Sequence, residues 1–203
     1  MDGVLSDSWD NCIEGLLPTG LHGSTREEVL ASHMRYCTRR PIHARSGTMT
    51  SERKKQISSA LDTLCDYLNT MNTPLFDDFI EEIRDLDATI AVASSGGANY
   101  VYKQAKKTGL PFTHVFAWED STSKEDNIEK ICKDWSIPLS KVIYVTDTLA
   151  DVYELESLIP REHIIGCAWG FCGYPILREE LPKSQILREP QDFRKVLSTI
   201  HPL

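Results

Sequence analysis

The feature that most restricts how this chain can fold is an alternation that begins at about residue 88. The β-rich runs ATIAVAS (88–94), THVFAW (113–118), KVIYVTD (141–147) and HIIGCAW (163–169) are separated by helical stretches. ANYVYKQAKKTG (98–109) closes on Gly109, KEDNIEKICKDW (124–135) keeps Ile128, Ile131, Cys132 and Trp135 on one face, and LADVYELESL (149–158) follows. Strands spaced by helices of this length build βαβ units. The expected fold class is α/β, a Rossmann-like parallel sheet with helices on both faces.

Residues 10–86 hold helices and no convincing strand. Ser24-Thr25-Arg26-Glu27 has the spacing of a capping box and opens a helix to about Thr38. A second helix spans about 51–71 with Ile57, Leu61, Leu64, Leu68 and Met71 in a stripe, and a third spans 74–86. Between the first two, RRPIHARSGTMT (39–50) is a basic loop that Pro41 and Gly47 keep from being helical. The expected organisation is a core domain of residues 1–8 and 73–203 with a small helical cap, 9–72, inserted into it.

Charge and cysteine usage narrow the function classes. A formal net charge of -8 supplies no field for nucleic acid or an anionic membrane, and no apolar run reaches membrane-spanning length. The cysteines at 12, 37, 65, 132, 167 and 172 contain no C-x-x-C pair, so reduced thiols and a cytoplasmic location are expected.

Ligands of open parallel sheets sit at the carboxyl ends of the strands. The residues falling there are Asp2, Ser94 and Ser95 with Gly96-Gly97, Lys124, and Asp147 with Asp151. Carboxylates suit Mg²⁺, a hard cation that takes oxygen ligands. A hydroxyl, backbone N–H groups and a lysine suit phosphate oxygens. Together they describe a phosphoryl-transfer site.

The order Asp-Gly-Val-x-x-Asp-Ser, a Ser ending an apolar strand, a Lys, then Asp-x-x-x-Asp after another strand resembles the four motifs of the haloacid dehalogenase (HAD) superfamily, mostly Mg²⁺-dependent phosphatases. WGF (169–171) and EPQDFRKVL (189–197) are similar to the tail of its phosphoglycolate-phosphatase-like members. The match covers essentially the whole chain, with 10–72 in the place of the family's helical cap. The first motif of the family is Asp-x-Asp-Gly at the end of the central strand; Asp2 and Gly3 match its last two places. The nucleophilic Asp then falls one residue before Met1, and the expectation is a longer natural protein, the central first strand being largely missing here.

The resemblance implies further roles. Asp2 is the expected general acid/base and a metal ligand through its carbonyl. Ser94, with the amides of Ser95 and Gly96, and Lys124 bind the phosphoryl group, and Asp147 and Asp151 complete the Mg²⁺ site. Thr146 stands where the family usually has Gly. The loop residues Arg39, Arg40, His43 and Arg45 are candidates for reading the leaving group, whereas His22, His33, His114 and His163 are expected to be structural. The implied reaction is hydrolysis of a phosphomonoester of a small metabolite, by default phosphoglycolate-like or sugar-phosphate-like, through an aspartyl-phosphate. The alternative is a catalytically inactive phosphate-binding or protein-interaction module. A receiver domain, which also clusters Asp and Lys, lacks the long helical insertion.

Overall fold

The computed structural model describes residues 1–200, so the last three positions of the expected core range lie outside it. After the initial turn come α1 (Trp9–Leu16), α2 (Arg26–Cys37), α3 (Ser51–Thr70) and α4 (Asp77–Arg84). The alternating half follows as β1 (Ala91–Ala93), α5 (Ala98–Thr108), β2 (His114–Phe116), α6 (Lys124–Trp135), β3 (Tyr144–Thr146), α7 (Leu149–Leu155) and β4 (Ile164–Cys167). It closes with α8 (Gly173–Leu177), β5 (Ile186–Leu187) and α9 (Phe193–Ile200).

Local chemistry sets most helix ends. The α2 capping box is real but sits one residue later than the sequence spacing suggests: Thr25 accepts from the Glu28 amide and Glu28 returns to the Thr25 N–H. Thr50, Ser123 and Thr148 cap α3, α6 and α7 through their hydroxyls. α5 ends where Gly109 turns left-handed at φ 67°.

Every strand pair is parallel: Ala91 lies opposite His114, Tyr144 opposite Ile164, and Gly166 opposite Ile186. All four residues of β4 are buried, as a central strand covered on both faces requires. Its alternation divides the core. Ile164 joins Ile128, Cys132, Val152 and Leu155 on one face, and Ile165 joins Phe79, Leu187 and Phe193 on the other.

β1 and β3 do not pair with each other, so the described strands form two sheets, β1-β2 and β3-β4-β5. Met1 packs against the apolar clusters of both. The Tyr144 hydroxyl of β3 reaches to 3.4 Å from the Ala93 carbonyl of β1 across the division. Residues 1–6 fold as a turn in which the amides of Val4, Leu5 and Ser6 all face the Met1 carbonyl.

α1 packs on α2 and α3, and this helical unit meets the alternating half where α3 touches α5 and α2 touches α7. Among the described residues no helix is long and apolar enough to cross a membrane.

Candidate active site

Between the helical unit and the strand ends lies a cavity of about 200 Å³. Its core side is bordered by Asp2, Ser94, Ser95, Gly96, Lys124, Asp147 and Asp151. Residues up to 149 positions apart in sequence, Asp2 and Asp151, therefore meet around one space: Ser94 and Asp147 follow strands, Lys124 and Asp151 lie in the first turns of helices, and Asp2 sits in the N-terminal turn beside them.

Asp2 is oriented by two hydroxyls, Ser8 at 2.8 Å and Ser6 at 3.2 Å, both donating to Oδ1. That is the place of Ser8 in the turn. Ser94, just past β1, accepts the Gly96 amide on Oγ at 3.1 Å, which curls the loop into the N-terminus of α5. Lys124 is the first residue of α6; its Nζ is ion-paired with the carboxylate of Asp151, and its amide donates to Glu154 at 2.8 Å. Two groups of one residue thus fasten α6 to α7.

Asp151 is fully engaged. Besides Lys124 it accepts from the hydroxyls of Thr146 at 2.8 Å and Tyr144 at 3.1 Å. Thr146, the departure from the family's usual Gly, supplies that hydroxyl and also accepts the Thr148 amide. Asp147 stands apart, with one side-chain hydrogen bond, from the Phe171 amide at 2.9 Å. It is wedged between two glycines: a Cβ on Gly3 would fall 1.9 Å from Asp147 Oδ2, and one on Gly170 2.3 Å from Asp147 Cβ. Gly3 also has φ 69°, a conformation costly for any other residue.

Burial and charge separate the two acids. Burial pushes the Asp147 carboxyl up to about 7 against the Phe171 amide and the nearby amino terminus, with Asp151 raising it further. Burial acts on Asp151 in the same direction, but Lys124 outweighs it and holds that carboxyl below its usual value. Lys124 is correspondingly held above its ordinary value: burial opposes the charge and Asp151 and Glu154 outweigh it.

Sequence reasoning passed over Glu154. It is fully buried, its carboxyl is raised by burial to about 7, and its Oε2 has no hydrogen-bond partner. His43 Nε2 lies 3.8 Å from it and 3.4 Å from Ser95 Oγ, so this loop histidine joins the loop after β1 to α7. The available signal was an acid three residues after Asp151, on the same helical face.

The basic loop divides. His43 is buried and borders the cavity. Arg45 instead bonds Asp126 and Glu129 on α6, and Arg40 reaches the Tyr153 carbonyl and Glu125. These two arginines strap the loop to the outside of the core, and Arg39 is exposed away from the cavity wall.

This arrangement, a divided parallel sheet with acids, a hydroxyl and a lysine at one edge, defines a class, and the sequence agrees. Residues 1–154 match the family described as haloacid dehalogenase-like hydrolase, and the chain belongs to that family. The fold is similar to that of a hydrolase from Pseudomonas syringae at 15% identity, TM-score 0.72, covering 99% of this chain and 96% of that one. It is also similar to a predicted phosphatase from Clostridium acetobutylicum at 19% identity, TM-score 0.71, covering 98% and 95%. A phosphoserine phosphatase, solved as a phospho-aspartyl intermediate analogue, gives 18% identity, TM-score 0.54, covering 94% and 91%. No curated protein matches the chain.

Proposed function

We propose that the protein acts on phosphomonoesters of small metabolites, as a Mg²⁺-dependent phosphatase. The observation that carries this reading is that Asp2, Ser94, Lys124 and Asp147 border one cavity, with the lysine buried at its wall. A buried ammonium, a loop hydroxyl and the amides of Ser95 and Gly96 make a receptor for a phosphoryl group. The loop closes the Gly96 amide on Ser94 Oγ, a bond that phosphate oxygens would replace.

The acids fit a hard cation in part. Among the described residues no three His, Cys, Asp or Glu side chains cluster as a metal site. Asp147, however, is a buried carboxyl with no cationic side-chain partner, and Asp2 stands across the same cavity. These two would hold Mg²⁺ with phosphate oxygens and water filling the other positions, while Asp151 serves as the partner of Lys124. When bound, the cation offsets charge on the phosphoryl oxygens.

Asp2, aimed by Ser6 and Ser8, is placed to give a proton to the leaving oxygen and later take one from water. Lys124 steadies the phosphoryl oxygens, and Asp151 with Thr146 and Tyr144 holds Lys124 in register.

Calorimetric titration with inorganic phosphate and Mg²⁺ tests the receptor: wild-type chain should bind and Lys124→Ala should not. Attaching an apolar strand ending in Asp ahead of Met1 should give Mg²⁺-dependent hydrolysis of 4-nitrophenyl phosphate. Phosphate binding without any turnover in that longer chain would favour a binding module over a phosphatase.

A further inference from the structure

The cavity does not end at the phosphate receptor. It continues under the helical unit, where its wall changes character to Leu16, Leu21, Ile57, Leu61 and Leu64. Set into this apolar wall is His33 of α2, whose ring nitrogens are both buried and both without a partner among the described residues. Buried polar atoms in folded proteins are nearly always satisfied, and a group at a cavity wall that is not satisfied is available to a ligand.

Aromatic side chains surround the ring. Phe171 meets it edge-on at 5.4 Å between centroids, Trp9 packs on Phe171 at 4.8 Å, and Tyr36 lies nearly parallel to His33 at 6.0 Å. Burial pushes His33 down to about 4, with His22 acting in the same direction, so at neutral pH the imidazole is uncharged and offers one donor and one acceptor. Arg53 borders the same end of the cavity; its recorded side-chain bond is to Gln56, and among the described residues it has no ion pair. Among the described residues that border the cavity, the carboxylates are Asp2, Asp147 and Asp151, all on its core side.

Resting on the phosphatase reading, we propose that this end selects the leaving group: a flat, largely apolar ring bearing a single hydrogen-bonding substituent, which His33 reads. A polyhydroxylated leaving group would bury hydroxyls against leucine side chains that cannot bond them, and a cationic one would meet Arg53 unopposed. An aromatic ring loses little against leucines and gains from an ordered aromatic neighbourhood. The site thus takes aryl-type phosphomonoesters in preference to the sugar-phosphate or phosphoglycolate class that ancestry alone suggests.

The test uses the chain as it is, with Mg²⁺ present, and ligands that need no turnover. Inorganic phosphate, phosphoglycolate, glucose 6-phosphate, benzylphosphonate and 4-hydroxybenzylphosphonate are titrated calorimetrically. Benzylphosphonate should bind about tenfold tighter than inorganic phosphate and the 4-hydroxy compound tighter again, with glucose 6-phosphate and phosphoglycolate gaining nothing over phosphate. His33→Phe keeps the ring and removes the nitrogens, so it should erase the advantage of the hydroxyl while leaving inorganic phosphate affinity unchanged. Glucose 6-phosphate or phosphoglycolate binding as tightly as the aryl phosphonates, with phosphate still bound, overturns the inference and leaves the phosphatase reading standing. A retained hydroxyl advantage in His33→Phe removes His33 from the role. Failure of wild-type chain to bind inorganic phosphate, or binding indifferent to Lys124→Ala, sinks the reading and this inference together. Should His33→Phe not fold, the ranking of ligands by wild-type chain decides alone.

Discussion

The two ends of the cavity differ in burial, the strand-end residues being buried and most of those under the helices half-buried, and they carry opposite kinds of titratable group. At the core end Asp147, and behind the cavity wall Glu154, hold raised carboxyl pKa values, each about 7 and each caused first by burial. At the cap end His33, and at the seam His43, are pushed down to about 4, His43 by burial and then by Lys124. In both places the protein keeps a group neutral that water would leave charged, and the consequences for stability run in opposite directions. Between about pH 4 and 7 the native acids keep protons that the unfolded chain has released, so their contribution to stability falls as pH rises. Between about pH 6.5 and 4 the unfolded histidines take up protons that the native ones refuse, so theirs falls as pH drops. The polar end therefore loses stability as pH rises, and the apolar end loses it as pH falls.

The largest effect should come from breaking the buried pair of Lys124 and Asp151. Lys124→Ala leaves Asp151 buried without its cation, and urea unfolding should show a loss of about 3–5 kcal/mol. Gly170→Ala drives a methyl into Asp147 and the Gly3 carbonyl and should cost about 1–3 kcal/mol in the same assay. Asp147→Asn sharpens the contrast because its sign is reversed. In metal-free buffer at pH 8 it should stabilise the protein by about 2 kcal/mol, while abolishing any stabilisation by Mg²⁺. His33→Phe should stabilise by about 1–2 kcal/mol at pH 5 and by little at pH 8, so the difference between variant and wild type must grow as pH falls. Smallest is Arg45→Ala on the surface strap, under about 1 kcal/mol, shrinking as salt is added.

How much of this was legible beforehand differs between the same two regions. The alternating half is written in strong local signals: α6 spans Lys124–Trp135 as its apolar face and Ser123 cap imply, and the polar residues at the strand ends converge because parallel topology leaves them one edge to occupy. The strands are shorter than their apolar runs, since β1 and β3 have a partner on one side only, and β5 escaped notice because two residues carry no periodicity. Individual partnerships were not legible. Asp147 and Asp151 look equivalent as Asp-x-x-x-Asp, and it takes the position of Lys124 Nζ and the Thr146 and Tyr144 hydroxyls to tell them apart. The basic loop misleads for a related reason: charge is visible in sequence, but Arg40 and Arg45 face acids of α6 that lie more than 80 residues away, while the uncharged His43 turns inward.

The thiols have a practical consequence. Cys12 and Cys37 border the cavity, both are buried, and burial together with neighbouring carboxylates holds each thiol well above its ordinary pKa. Protonated and buried, they are poor nucleophiles toward alkylating reagents. They are therefore built-in clocks: the rate at which a small maleimide labels them counts how often the chamber breathes, and a ligand that fills it should slow that count without any engineered probe.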